Sequence, residues 1–195
     1  STVPELGPEW TQMSERYLGH RMPAVGRGLR TGMPIRIDNP REVGSDRIVN
    51  ALAAASDHGG PAIVVDFGGT ATTFDVVDDQ GRYVGGAITP GISISLEALS
   101  RGGAQLRMVE LVRPRGVIGK NTVEALQSGM VFGVASQVEG MVERLVGALG
   151  CTAQEVTVIA TGHLAPLVLD ECRCFTQHSP WLTLRGLAMI HARNS

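Results

Sequence analysis

The sequence predicts an α/β fold, and three observations carry that prediction. Three consecutive strand-like segments run from Ala62 to Ile88, a long helical pattern follows from Thr122 to Leu149, and a further strand and helix come after it. Adjacent strands followed by alternating helix and strand indicate a sheet covered by helices. With 195 residues and 43% hydrophobic content, the chain can bury a real core as one domain or as two small lobes. A formal net charge of −2 argues against electrostatically driven nucleic-acid binding, and 4% aromatic residues leave little for base stacking. The three cysteines, with Cys172 and Cys174 one residue apart, make neither a disulfide framework nor a four-ligand zinc site. They point to a reducing, cytoplasmic setting. No apolar run reaches membrane-spanning length, and the first residues carry no basic-then-apolar signal.

Taken in order, Ser1-Thr2-Val3-Pro4 reads as the tail of a strand, and Glu5 to Leu18 as a helix. A Gly-rich connection from Gly19 to Gly32 leads to an extended stretch, Pro34 to Ile37. Asp38-Asn39-Pro40 is a helix-start signal, because proline fits the first helical turn. From Gly44 to Ala55 the residues Ile48, Val49, Leu52 and Ala53 fall at helical spacing, and Gly59-Gly60 ends the run. Ala62–Val65, Ala71–Val77 and Arg82–Ile88 read as strands, the second and third joined by the hairpin turn Asp78-Asp79-Gln80-Gly81. Thr89-Pro90-Gly91 ends this meander, and Ser93–Ser100 reads as a helix. The long helix from Thr122 to Leu149 opens on Asn121 as a cap with Glu124 three residues on. One of its faces is apolar; a second stripe, Gly129, Gly133, Ser136 and Gly140, is all small. Each glycine costs about 1 kcal/mol of helix propensity relative to alanine, so the stripe predicts another backbone packed closely against it. Glu155–Thr161 reads as a strand, Leu164–Glu171 as a short helix and Leu182–Ala192 as a terminal helix.

The segment with the most chemical content runs from Ile63 to Val77. An apolar run ends at Asp66, turns through Gly68-Gly69, and leaves through Thr70, Thr72 and Thr73 into a second apolar run. Such a turn brings backbone N–H groups and hydroxyls close to a phosphate, beside an acid that can hold a cation. A phosphoryl-transfer site is the specific expectation.

Five ordered motifs then carry a resemblance. The stretch from Asp38-Asn39-Pro40 through Gly44-Ser45-Asp46-Arg47 resembles the acceptor-binding motif of type III pantothenate kinases. Asp66-Phe67-Gly68…Thr70-Ala71-Thr72, Gly85-Gly86-Ala87-Ile88-Thr89-Pro90-Gly91, Gly119-Lys120-Asn121-Thr122 and Thr161-Gly162-His163 follow in the family's order. The resemblance implies a ribonuclease-H-like lobe of the actin-like ATPase superfamily (residues 61–195) with the remainder of a truncated N-terminal lobe that carries the acceptor motif (residues 1–60). It implies transfer of the γ-phosphate of ATP to the primary hydroxyl of pantothenate, giving 4'-phosphopantothenate in the first step of coenzyme A biosynthesis.

Residue by residue, the resemblance implies Asp46 as general base and Gly44, Ser45, Asp46 and Arg47 as pantothenate contacts. It implies Asp66 as ligand of a monovalent cation (K+ or NH4+), Thr70, Thr161 and Gly162 on the ATP side, and Mg2+ arriving with the nucleotide. Thr122 is implied as a substrate contact in a pocket completed across a homodimer interface. The alternative is a non-catalytic subunit or ligand-binding regulator on the same fold; a kinase of another small hydroxy acid is a third reading.

The chemistry is consistent with these roles. An Asp beside the attacking hydroxyl can accept its proton, and an adjacent Arg can grip a carboxylate with a two-pronged pair. Thr122, at a helix start, sits where free N–H groups favour an anion, either carboxylate or phosphate. Taken alone, Asp46-Arg47 reads as a solvated surface pair, Asp66 as a turn acid and Thr122 as a helix-start residue. His163, His178 and the Cys172–Cys174 pair read as structural. The ordered set moves the reading toward function.

Three departures from the family pattern accompany the resemblance. The family's opening Asp-x-Gly-Asn-Thr strand and turn has no match, so the expectation is that activity needs that segment, either missing from this chain or supplied by a separate polypeptide. Where the family has one glycine, Gly68 and Gly69 are both present, and a local bulge that displaces Thr70 relative to Asp66 is expected. Ile37 stands near the place of an aromatic residue that many relatives carry before the Asn-Pro.

Overall fold

A computed structural model describes residues 6–26, 29–102 and 108–195. The strand tail expected at Ser1–Pro4, and part of the Gly19–Gly32 connection, lie outside the described residues. Helix α1 (Gly7–Leu18) is followed by a 3-10 turn at Pro40–Glu42 and by α2 (Ser45–His58). Strands β1 (Ala62–Phe67), β2 (Ala71–Val77) and β3 (Tyr83–Pro90) form the meander, and α3 (Ile92–Gly102) leaves it. Then come α4 (Thr122–Ser128), a π turn (Gly129–Gly133), α5 (Val134–Ala148), β4 (Thr157–Thr161), β5 (Gln177–His178) and α6 (Leu182–Asn194).

The five strands lie in the order β3-β2-β1-β4-β5. β1 pairs antiparallel with β2 and parallel with β4; β2–β3 is antiparallel and β4–β5 parallel. Period-two alternation along β1 sends Ile63, Val65 and Phe67 into one core with Val138, Val142 and Val146 of α5 and Ile92 and Leu96 of α3. Ala62 and Val64 join cores on the opposite face with Val49, Ala51, Ala53 and Ala54 of α2 and Leu182 and Ile190 of α6. Asp66, two residues beyond Val64, therefore belongs to the face covered by α2. α2 runs into β1 through Gly59-Gly60-Pro61, so the two are antiparallel and the start of the helix lies beside the end of the strand.

Several elements differ from the sequence expectation. Asp38-Asn39-Pro40 opens only the 3-10 turn, where the Asn39 side chain accepts from the Arg41 N–H; extended Val43 interrupts it before α2 begins. The extra glycine does not slip the register: β1–β2 pairing runs unbroken from Ala62↔Val77 to Phe67↔Thr72, and the added residue is absorbed within the turn. The ladder irregularity falls instead between Val76 and Val77, against β3. The long helix is capped as expected, with Asn121 Oδ1 accepting from the Glu124 N–H at 2.9 Å, but it contains the π turn. No backbone packs on its small-residue stripe among the described residues: a Cβ at Gly129 or Gly133 would meet nothing within 4 Å, and Ser136 is exposed. Leu164–Glu171 forms two 3-10 turns, with Pro166 inside the first. β5 has only two residues, both exposed, too few for a periodic signal.

Gly186 of α6 is the glycine that close packing requires, because a Cβ there would lie 2.2 Å from the carbonyl oxygen of Val49 in α2. Gly186→Ala is expected to destabilise the fold by about 2 kcal/mol through overpacking. Gly133→Ala, facing open space, is expected to be neutral or stabilising by up to about 1 kcal/mol. Denaturant melts of the two variants check the contrast.

Candidate active site

The site grows from the antiparallel contact of α2 with β1. Asp46 lies in the first turn of α2, half-buried, and Asn50 follows one turn later on the same side of the helix. Asn50 is buried, and its amide is used at both ends. Its Nδ2 donates to Asp66 Oδ2 at 2.8 Å, and its Oδ1 accepts from Thr183 Oγ1 of α6 at 2.7 Å. The bond ties α2, β1 and α6 together at the end of β1 where the phosphate turn begins.

Asp66 Oδ1 accepts no hydrogen bond among the described residues and faces the chain at Gly162. Gly162 has φ +92°, and a Cβ on it would lie 2.6 Å from that oxygen, so the position needs glycine twice over. Thr161, buried, pairs with Asp66 in the parallel β1–β4 ladder. Burial pushes the Asp66 carboxyl above its ordinary value of 3.8; the Asn50 hydrogen bond works against this, the charge of Asp46 adds to it, and His163 lowers it. Asp46 and His163 are thus each within electrostatic reach of Asp66. His163 is exposed and borders the β1–β2 turn, its Cε1 3.8 Å from where a Gly69 Cβ would stand.

Arg47 points to the neighbouring part of the same face. Its Nε donates to Asp75 Oδ1 of β2 at 2.7 Å, and it borders a cavity of about 380 Å³ with Ile37, Asn39, Glu42, Tyr83 and Gly86. Asp75 is fully buried; burial pushes its carboxyl up, while the charge of Arg47 and hydrogen bonds from Tyr83 and Thr73 pull it down. Gly44 is the residue before α2, and Ser45 borders a different, largely apolar cavity beside Trp10, Met22 and Leu187.

The structure therefore gathers Asp46, Asp66, Thr161 and Gly162, with Arg47 adjacent. Thr70 is exposed in the turn, its carbonyl accepting from the Gly91 N–H at 2.9 Å. Thr122 is exposed at the first position of α4 and has no hydrogen bond to α2 or β1 among the described residues. Sequence reasoning missed Asn50, Asp75, Tyr83 and Thr183, and read His163 as structural. Asn50 was detectable as the residue four positions after Asp46; Asp75 was detectable as an acid at an inward strand position.

No group of three or more His, Cys, Asp or Glu side chains able to hold a metal occurs among the described residues. Asp66 Oδ1, free among the described residues and facing the backbone at Gly162, is the carboxylate oxygen that a cation would use there. No helix among the described residues is long and apolar enough to cross a membrane.

The fold has relatives among solved structures. A protein from Campylobacter jejuni, described as a conserved putative Baf family transcriptional activator, superposes with a TM-score of 0.53 at 20% identity, covering 99% of this chain and 80% of that one. An archaeal actin homologue superposes with a TM-score of 0.52 at 15% identity, covering 75% of this chain and 54% of that one. The sheet order and these likenesses give the chain an actin-like fold. A family model for type III pantothenate kinase matches residues 1–144. A type III pantothenate kinase of Nocardioides sp. is 67% identical over all of this chain and 76% of its own length. One from Thermobifida fusca is 61% identical over all of this chain and 75% of its own length. The chain belongs to the type III pantothenate kinase family.

Because the Asp66 carboxyl sits above 3.8 in the fold, its contribution to stability is full below that pH and is lost as pH rises through the raised native value. Asp66→Asn removes the ionisation and keeps an oxygen for Asn50 to donate to. It is expected to raise the melting temperature near neutral pH, with the gain vanishing as pH falls toward 3.8. Thermal melts across pH, in buffer without potassium, check this.

Proposed function

We propose that this protein is an ATP-dependent kinase that phosphorylates pantothenate to 4'-phosphopantothenate, the first step of coenzyme A biosynthesis. The observation that carries the reading is the Asn50–Asp66 hydrogen bond, which sets the first turn of α2, where Asp46 lies, beside the end of β1 in a chain of this family. Asp46 accepts the proton of the primary hydroxyl of pantothenate as that oxygen attacks the γ-phosphate of ATP. The new bond joins the hydroxyl oxygen to phosphorus, and the bond to the bridging oxygen of ADP breaks. Phosphoryl transfer asks the protein mostly for positioning and charge stabilisation, and the remaining residues supply these.

Gly44, Ser45 and Arg47 form the acceptor side around the start of α2, with Arg47 pairing the carboxylate of pantothenate at its cavity and Ser45 bordering the separate apolar one. Thr70, Thr161 and Gly162 form the nucleotide side along the β1–β2 turn and the end of β4. Asp66, with its free Oδ1, holds a monovalent cation (K+ or NH4+), which when bound offsets the negative charge gathered there; Mg2+ comes with the nucleotide. Residues 1–60 carry the acceptor wall and residues 61–195 the ribonuclease-H-like lobe. Thr122 completes the acceptor pocket of a second copy in a homodimer, and the enzyme works in the cytoplasm.

The test is ADP release with and without pantothenate, in potassium and in sodium buffers, with the family's Asp-x-Gly-Asn-Thr segment present in the same chain or added as a separate polypeptide. Pantothenate- and potassium-dependent turnover is expected. Asp46→Asn is expected to lower kcat by about a thousandfold with an unchanged melting temperature. Near-parental turnover in that variant would remove Asp46 as the base.

A further inference from the structure

The structure assigns a positioning role to Asp75: we propose that Asp75, with Tyr83 and Thr73, holds the Arg47 guanidinium at the acceptor cavity and thereby sets the preference for a carboxylate-bearing acceptor. The inference rests on the kinase reading above and adds to it the residues that choose the substrate's charged end.

Asp75 lies on β2, on the face turned to α2, with no exposed surface. Its Oδ1 accepts from Arg47 Nε at 2.7 Å and from the Tyr83 hydroxyl at 3.1 Å, and its Oδ2 accepts from Thr73 Oγ1 at 3.1 Å. Every donor around it points inward, and three elements contribute them: α2, β2 and β3. A buried carboxylate without such partners would be costly, so the cluster holds together as a unit. The guanidinium also lies over the Tyr83 ring, 5.9 Å from its centroid, and its Nη2 lies 3.4 Å from the Phe74 carbonyl oxygen.

An arginine has five N–H donors in a rigid fork. Here Asp75 takes the Nε donor and Phe74 a weak share of Nη2, while Nη1 donates to no group among the described residues. Fixing the inner edge of the fork determines where its outer edge lies, which a free arginine on a flexible stem would not do. Among the described residues Arg47 is the only cationic side chain bordering the cavity, whose other charged residues are Asp38 and Glu42. An acceptor's anionic end would be repelled by those two acids and has Arg47 as its one cationic partner among the described residues. Asp75 makes no contact with the acceptor in this arrangement; it acts through Arg47.

The test compares pantothenate with pantothenyl alcohol, which has a hydroxymethyl group in place of the carboxylate, in the parent enzyme and in Asp75→Asn and Tyr83→Phe. Binding is read by titration calorimetry and turnover by ADP release. Asp75→Asn is expected to weaken pantothenate about tenfold while leaving pantothenyl alcohol and the KM for ATP nearly unchanged. Tyr83→Phe, the milder change, is expected to shift the same ratio in the same direction by a smaller factor, and it carries the test if Asp75→Asn does not fold. In an Arg47→Ala background neither change is expected to alter the ratio further. Equal losses for both acceptors, or an unchanged ratio in folded variants, would overturn the proposal and leave Asp75 as a packing residue. A parent enzyme that binds pantothenate selectively but releases no ADP would count against the kinase reading and not against the positioning role.

Discussion

The buried amide of Asn50 governs where everything else in this site stands. Its two ends bond Asp66 on β1 and Thr183 on α6, and a buried amide that lost either partner would be left with an unsatisfied polar group. The helix can therefore neither rotate nor slide on the sheet without cost. That constraint holds Asp46, one turn earlier, beside the end of β1, and it holds Arg47 over β2. Gly186 adds the steric half of the same constraint by letting α6 approach the backbone of α2.

A second consequence is electrostatic. The α2 face of the sheet collects Asp46, Asp66 and Asp75, and burial disfavours the charged form of the last two. Each acid is handled differently. Asp75 is surrounded by donors and anchors an arginine; Asp66 keeps one oxygen free among the described residues; Asp46 stays half-exposed at a helix start. A fully partnered acid serves structure, a half-partnered one suits a cation, and an accessible one suits proton transfer. The proposed division of labour follows from these three environments and not from the residue type, which is the same in all.

Much of the fold was legible because local rules and tertiary structure agreed. The meander, the capped long helix and the terminal helix follow from alternation, helical spacing and turn chemistry. Other elements failed where one level contradicted another. The helix-start signal at Asn39-Pro40 could act for only one short turn because Val43 is extended, and the strand Gln177–His178 exists only because β4 offers it an edge. The small-residue stripe on the long helix looks like a packing surface, yet among the described residues Gly129 and Gly133 face open space. Periodicity says which residues share a face; it does not say what lies opposite.

Local rules alone place Asp66 and Asp75 on one side of the strands and Asp46 and Asn50 four residues apart, and the order of motifs that resembles one kinase family is readable without the fold. Folding was needed to bring Asn50 to Asp66 and Asp75 to the inner edge of Arg47, and to set Ser45 and Thr122 apart from them. The physical reason is range. Alternation and helical spacing are set by the backbone within a few residues, whereas partners 16, 28 and 133 positions apart are chosen by how helices dock on the sheet and which buried polar groups must be satisfied there.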